Sequence, residues 1–455
     1  MIYRSEPPWA HRILILGGGF AGVETARALE RLTRRRADVE IWLVNRENFT
    51  LFTPLLPEVC SGLLEARHCV TALRAQLRRP SSWAITGTVR EIDLDAKQVV
   101  VLGGDDELHR LNYDTLVLAL GGETATFGIK GITDWTVGMK TLADAFALRN
   151  RVIEMLERAD LETDRAARQA LLTFVIGGAG FSGVETAGEV EDFVRRVKRR
   201  YYPKIGDDEI RCHLVELKDR VLPEMPEEMG AYAAARLEGR GFRIRLGTPI
   251  TEVREDRVII GDGEVIPTRT VIWTGGVRPS PVVARSGIDV DRAGRAVVSP
   301  AMQTSSEGVW AIGDCAWIPD ADVPGVAHAP TAQNAVREAK RLAHNIVVTI
   351  DGRPDLVEPF RYRPIGTLAS IGRFTGVGVV FGIRVRGFIA WFMWRGYYWT
   401  RVPGIAGKLR VAFDWLLGLV FGSDPVQLKV DYPLTGGMGP SGRRRPRPRP
   451  VDPRA

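Results

Sequence analysis

The feature that most limits how this chain can fold is a repeat. HRILILGGGFAGVETARALE (11–30) and LLTFVIGGAGFSGVETAGEV (171–190) follow one plan. Each is an apolar strand-like run, a glycine turn, and a helix-period stretch with small residues on its packing face. Each continues to a second strand, VEIWLVN (39–45) and IRCHLVE (210–216), and later to a buried-strand signature, YDTLVLALGG (113–122) and PTRTVIWTGG (267–276). The two turns lie 161 residues apart. A period this long means two copies of one nucleotide-binding domain, since solenoid repeats run only about 20–50 residues. The second copy is expected to begin after the helix-like stretch 142–159 and the charged linker DLETDRAAR (160–168). The length of 455 residues suits two or three domains of ordinary size.

The turns carry chemistry. Gly17, Gly19 and Gly22 form GxGxxG between strand and helix, and Gly178, Gly180 and Gly183 do the same. The first glycine permits the tight turn and the second lets backbone approach a pyrophosphate. The third lets the helix pack on the strand with its N-terminus toward the phosphate charge. One such motif is weak, but two in the same context point to dinucleotide binding at both. The residue closing the second strand then meets the adenosine ribose. In the second copy it is Glu216, whose carboxylate would accept from both ribose hydroxyls and repel a 2′-phosphate; that favours NAD over NADP, although Lys218 and Arg220 stand just beyond. In the first copy it is Asn45, which reads equally as a hydroxyl partner or as a strand-end turn residue. A third signal, TSSEGVWAIGDCA (304–316), is an apolar strand ending in Gly313-Asp314. An Asp there can bind the ribityl hydroxyls of FAD, which assigns FAD to the first copy and NADH to the second.

Composition closes other routes. At 45% hydrophobic and 26% charged the chain is globular, not mostly disordered. Its four cysteines, Cys60, Cys69, Cys212 and Cys315, show no CxxC spacing, which excludes a disulfide scaffold and a Cys-based zinc module and reads as a reducing compartment. Among six His no metal-ligand cluster is evident, so the redox cofactor is expected to be organic. Of the net charge of +7, +5 sits in the last thirteen residues, Arg443 to Ala455, so no nucleic-acid partner is expected. That Pro-interleaved tail should be extended and disordered, with lipid or polyanion contact and a solvated tail both open as readings.

In this order the motifs resemble the type II NADH dehydrogenases (NADH:quinone oxidoreductases) among the two-dinucleotide-binding-domain flavoproteins. The residues that carry the resemblance are GGGFAGVETA (17–26), NFTLFTPLLPEV (48–59), GGAGFSGVETAGEV (177–190), TVIWTGGVRP (270–279), VWAIGD (309–314), APTAQNAVREA (329–339) and the region 366–394. Three positions depart from that family's pattern: Asn45 replaces an acid, Thr50 stands where His is frequent, and Arg337 takes the place of the second Gln of AQxxxQ. The resemblance implies an α/β fold of two Rossmann-like domains. The FAD domain would comprise 10–140 and 276–357, with an NAD domain at 141–275, a membrane-associating C-terminal region at 358–435 and a tail at 436–455. It also implies hydride transfer from NADH to flavin and passage of two electrons to a membrane quinone, without proton pumping. Thr331 and Ala332 would open a helix whose N-terminus points at the flavin, and Gln333 would contact quinone or isoalloxazine, against the alternative of a solvated first-turn residue. Glu185 would relay protons near nicotinamide and quinone, against the alternative of an acid favouring a helix N-terminus. Disulfide reductases of the superfamily need CxxxxC and sulfide:quinone reductases need sulfur-carrying cysteines, so thiol chemistry is disfavoured. A related reductase with a sulfide:quinone or protein acceptor, or a flavin-bearing redox sensor, remains as the alternative.

No stretch reaches the ~18 uncharged apolar residues a spanning helix needs, and the N-terminus shows no secretory or transit pattern. From Pro359 to Phe413, however, nine Arg/Lys occur with no Asp or Glu, among Trp391, Trp394 and Trp399, with Trp415 just beyond. Aromatic rings at headgroup level and basic residues on anionic lipid explain this pattern better than a core or a homodimer interface. The expected location is peripheral, on the cytoplasmic side of the cell membrane, through residues 359–421.

Overall fold

The computed structural model describes residues 11–428, so the Arg/Pro-rich tail lies outside the described residues. The chain forms two compact units: 11–51, 70–123 and 277–364 in one, and 52–69, 124–276 and 365–428 in the other. Seven helices recur below: α1 (Phe20–Leu32), α2 (Leu56–Cys60), α3 (Leu142–Leu161), α4 (Phe181–Tyr201), α5 (Ala332–Ile350), α6 (Phe388–Arg401) and α7 (Ile405–Phe421).

The first unit is built on a seven-stranded sheet. Its spatial order is Val309–Ala311, Thr115–Leu118, His11–Leu16, Val39–Asn45, Ser82–Asp93, Gln98–Gly103 and Leu108–Asn112. The first five pair in parallel and the last two add an antiparallel meander. Ile13 to Leu16 are fully buried, as expected of a central parallel strand covered on both faces. Helices α1 and α5 pack against each other in this unit, and Ala26 and Ala28 of α1 and Ala339 and Ala343 of α5 are all buried.

The second unit repeats the plan with a five-stranded parallel sheet in the order Thr136–Gly138, Thr270–Trp273, Thr173–Gly177, Arg211–Val215 and Phe242–Arg245. A small antiparallel sheet, Ile250–Val253, Arg257–Ile260 and Glu264–Pro267, follows as in the first copy. A second meander, Gly366–Ser370, Gly376–Val380 and Ile383–Gly387, leads into α6 and α7.

Local chemistry departs from the sequence reading in three places. The stretch expected as a linker contains a helix, Arg165–Leu171, because the Asp164 side chain accepts from the Ala167 N–H at 2.7 Å and caps it. The basic insert expected from residue 195 is helical to Tyr201, the end of α4. Residues 52–69 belong to the second unit although they follow the first copy's second strand, since Leu55, Leu56, Val59 and Cys60 are buried where α2 packs on α3 and α4.

The acid-free C-terminal segment finds its acids elsewhere in the same unit. Arg395 is 8% exposed and pairs with Glu58 at 2.7 Å, and Arg384 pairs with Glu228 at 3.0 Å. Trp391 and Trp394 are buried too. The absence of acids along the segment is therefore partly compensated in space, and half of its aromatic cluster faces inward.

Candidate functional site

In the first unit the turn geometry fits a pyrophosphate. Gly17 adopts φ +110° and its N–H donates to the Val44 carbonyl at 2.8 Å. A Cβ on Gly22 would collide with the Gly17 carbonyl oxygen, so the third glycine is obligatory for packing. A Cβ on Gly19 would meet nothing within 4 Å. That open space stands at the start of α1, where Gly19 supplies no side-chain cap and the first N–H groups are left for an anion. Asn45 closes the turn: its Oδ1 accepts from the Gly18 N–H at 2.8 Å while its Nδ2 donates to the Glu47 carbonyl at 2.8 Å and the Phe49 carbonyl at 3.3 Å. The amide does locally what a ribose-binding acid could not, since a carboxylate has no proton to donate to those carbonyls.

Gly313 takes φ +70°, and a Cβ there would stand 3.3 Å from Ala21, which places the Gly313-Asp314 turn beside the start of α1. The structure thus brings the Gly313-Asp314 turn to the first glycine turn. Glu338, within the quoted APTAQNAVREA but given no role in the sequence reading, fixes that turn: it is 2% exposed and its Oε2 accepts from the Gly313 N–H at 2.9 Å. Burial pushes its carboxyl up to about 7, against the opposing pull of the Gly313 N–H. Helical spacing could have found it, because Ala335, Glu338, Ala339 and Leu342 share one buried face.

Thr331 caps α5 by accepting from the Asn334 N–H at 3.3 Å, and Ala332 is its exposed first residue. Gln333 is half-buried, with its Oε1 accepting from the Tyr362 hydroxyl at 3.3 Å. Arg337 donates to the Gln333 carbonyl at 2.9 Å and stacks its guanidinium 4.0 Å over the Tyr362 ring.

The second unit repeats the turn. Gly178 has φ +103°, and a Cβ on Gly183 would strike the Gly178 carbonyl oxygen. Around Gly180 the nearest atom to such a Cβ is Glu224 Oε1 at 3.6 Å, again leaving room for a phosphate. Glu216 sits against this turn: its Oε2 accepts from the Ala179 N–H at 2.5 Å and its Oε1 from the Lys218 N–H at 2.9 Å.

Glu185, near the start of α4, is buried. Its Oε1 accepts from Trp394 Nε1 at 2.7 Å and from the Ser370 N–H at 3.2 Å. Burial pushes its carboxyl up to about 8; those two donors oppose the rise, and Glu189 and Glu58 add to it. Glu189, one helical turn on, is 2% exposed with its Oε2 unpartnered, and burial beside Glu58 raises it likewise. Glu58 accepts from Arg395 at 2.7 Å through Oε1 and from Trp415 Nε1 at 2.6 Å through Oε2. The sequence reading singled out Glu185 alone from this group. The i, i+4 spacing of Glu185 and Glu189 was a signal for the second, and Glu58 lay within the quoted NFTLFTPLLPEV.

All four cysteines are buried and free; burial pushes Cys69, Cys212 and Cys315 up to about 12 and raises Cys60 well above the ordinary thiol value. None is a thiolate at neutral pH, so none is a ready nucleophile.

The family profile described as pyridine nucleotide-disulphide oxidoreductase matches residues 11–339. The type II NADH:quinone oxidoreductase Ndh of Mycobacterium tuberculosis is 33% identical over 422 residues, covering 90% of this chain and 88% of that one. The chain belongs to the type II NADH:quinone oxidoreductase family. The internal alternative NAD(P)H-ubiquinone oxidoreductase A1 of Arabidopsis thaliana mitochondria is 31% identical over 91% of this chain and 85% of that one. In fold, the chain matches NDH2 of Plasmodium falciparum in complex with NADH with a TM-score of 0.84 at 19% identity, over 91% of this chain and 99% of that one.

Proposed function

We propose that the chain is an FAD-dependent oxidoreductase that takes a hydride from NADH and delivers two electrons to a membrane quinone, without pumping protons. The observation that supports this most is the pair of open glycine turns, one in each unit, in a chain of this family. When bound, the flavin supplies a two-electron carrier between hydride and quinone. The turn of Gly17, Gly19 and Gly22 holds the FAD pyrophosphate and Asp314 the ribityl hydroxyls. The turn of Gly178, Gly180 and Gly183 holds that of NADH, with Glu216 at the adenosine ribose, where its charge disfavours a 2′-phosphate. The dipole of α5, opening at Thr331 and Ala332, favours negative charge at its N-terminus, and Gln333 offers its amide to the quinone.

NADH, one proton and quinone give NAD+ and quinol, so the protein must supply one proton per turnover. Glu185 is the donor in this reading. Its Oε1 is occupied by Trp394 and Ser370, which leaves Oε2 to carry the proton it keeps at neutral pH. A thiol-based acceptor route is disfavoured by the protonated cysteines. The test is an anaerobic NADH titration of the purified yellow protein followed by addition of a short-chain quinone. Bleaching and rapid recovery are expected; absence of bound flavin, or recovery no faster with quinone than with buffer, refutes the reading.

The same reading seats the protein peripherally on the cytoplasmic face of the membrane. No described helix is long and apolar enough to cross a bilayer. Phe388, Ile389 and Phe392 of α6 and Leu409, Phe413 and Leu416 of α7 are exposed, a surface for lipid or for a second copy of the chain. Flotation with anionic liposomes should fall sharply in a Phe388→Asp/Phe392→Asp variant, and unchanged flotation would remove lipid as the occupant. Truncation near Glu358 is a poorer test, because it strips Arg395 and Trp415 from Glu58.

A further inference from the structure

Along α5, Arg337, Lys340, Arg341 and His344 fall at i, i+3, i+4 and i+7, which puts four basic side chains on one face. Opposite them in the same unit runs Phe360–Arg361–Tyr362, and the two segments line a cavity of about 260 Å³. No acid lines it. Like charges at helical neighbour spacing cost a few tenths of a kcal/mol per pair, so such a face needs compensation.

The compensation within the described residues is incomplete. Glu358 pairs with Arg341, and Asp322 pairs with Arg361 at 3.0 Å. Glu24 stands 3.9 Å from Lys340 but is closer to Arg27, at 3.6 Å, and to Arg31, at 3.1 Å. Among the described residues no carboxylate pairs with Arg337. Its guanidinium sits over the Tyr362 ring and uses one N–H on the Gln333 carbonyl, so donors are left over from its five. Phe360, 2% exposed and packed edge-on to His328 at 4.7 Å, gives the cavity a fixed apolar wall.

We propose that this cavity is a binding site for a phosphate-bearing anion. The volume is below that of pockets for drug-sized ligands and suits a compact charged group. A phosphate ester offers several acceptor oxygens to fork-shaped and point-charge donors at once, which a single carboxylate does not. The same chemistry is presented by a phospholipid headgroup and by a soluble phosphate. The site uses neither glycine turn, and it stands or falls independently of quinone reduction.

The test uses the flavin-loaded protein saturated with NAD+, so that both glycine turns are filled. Sodium pyrophosphate and, separately, a monomeric short-chain phosphatidylglycerol are titrated by calorimetry at constant ionic strength. At least one should saturate at a single site, bind at least tenfold more weakly to a Lys340→Gln/His344→Gln/Arg361→Gln variant, and protect Lys340 of the unmodified chain from acetylation. Tighter binding of pyrophosphate assigns the site to a soluble phosphate, and tighter binding of phosphatidylglycerol assigns it to lipid. No saturable binding of either, equal binding to the variant, or binding that leaves Lys340 unprotected overturns the proposal.

Discussion

Replacing Glu58 by alanine is the sharpest probe of how the C-terminal helices are attached. The carboxylate accepts from Arg395 and Trp415 while 2% exposed, and Arg395 is itself 8% exposed. Glu58→Ala leaves a guanidinium buried, with its Nε already unpartnered. Breaking a buried pair from one side costs about 3–5 kcal/mol, and the indole N–H left on Trp415 adds about 1 kcal/mol. Against a total stability of about 5–15 kcal/mol this is a large fraction. Arg395 lies 4.4 Å from the Trp391 ring and 4.6 Å from the Trp415 ring, so urea unfolding followed by tryptophan fluorescence reports on the site itself. The control is Glu58→Ala with Arg395→Met, which removes the stranded charge and keeps its bulk. The double variant should be more stable than the single one, because most of the loss is desolvation of Arg395. A single variant within about 1 kcal/mol of the parent, or a double variant less stable than the single, would refute the reasoning.

Other outcomes follow from the same geometry. Because the folded pKa of Glu185, about 8, lies above its unfolded value of 4.5, its contribution to stability is full below 4.5 and is lost as pH rises to about 8. The parent should therefore lose stability across that window more steeply than Glu185→Gln, by up to about 1.4 kcal/mol per pH unit, in urea titrations at stepped pH; equal slopes would sink the assignment. Gly19→Ala should leave the fold intact by circular dichroism but weaken flavin retention at least tenfold, since its Cβ points into open space. Gly22→Ala should lower stability by several kcal/mol, having backbone in its way. Glu216→Gln should raise the KM for NADH about tenfold and narrow the NADH/NADPH preference, read from steady-state rates with both.

Much of the fold was legible because it rests on local patterns. The strand at 39–45 was placed to the residue, and both glycine turns follow from spacing alone. What escaped depends on partners distant along the chain. Glu338 had no role assigned from its place in the motif, because its part lies in a bond to Gly313, 25 residues earlier. Arg395 looked like a lipid-facing cation because its acid lies in another segment. The helix at Arg165–Leu171 was missed in a run of charges whose capping aspartate was itself one of those charges. Composition reports where charges sit in sequence, while burial energetics act on where they meet in space.

The bond between Glu58 and Arg395 spans 337 residues. At about 5–20 residues per second, the ribosome takes roughly 20–70 s to add that much chain. For that interval the buried acid of α2 lacks its final partners, Arg395 and Trp415, and the second sheet is made while α6 and α7 are still unsynthesised. The nascent protein therefore carries an unfinished surface through most of its synthesis. Its closure is among the last events, so a ribosome stalled late would release a chain with both dinucleotide folds formed and this seam still open.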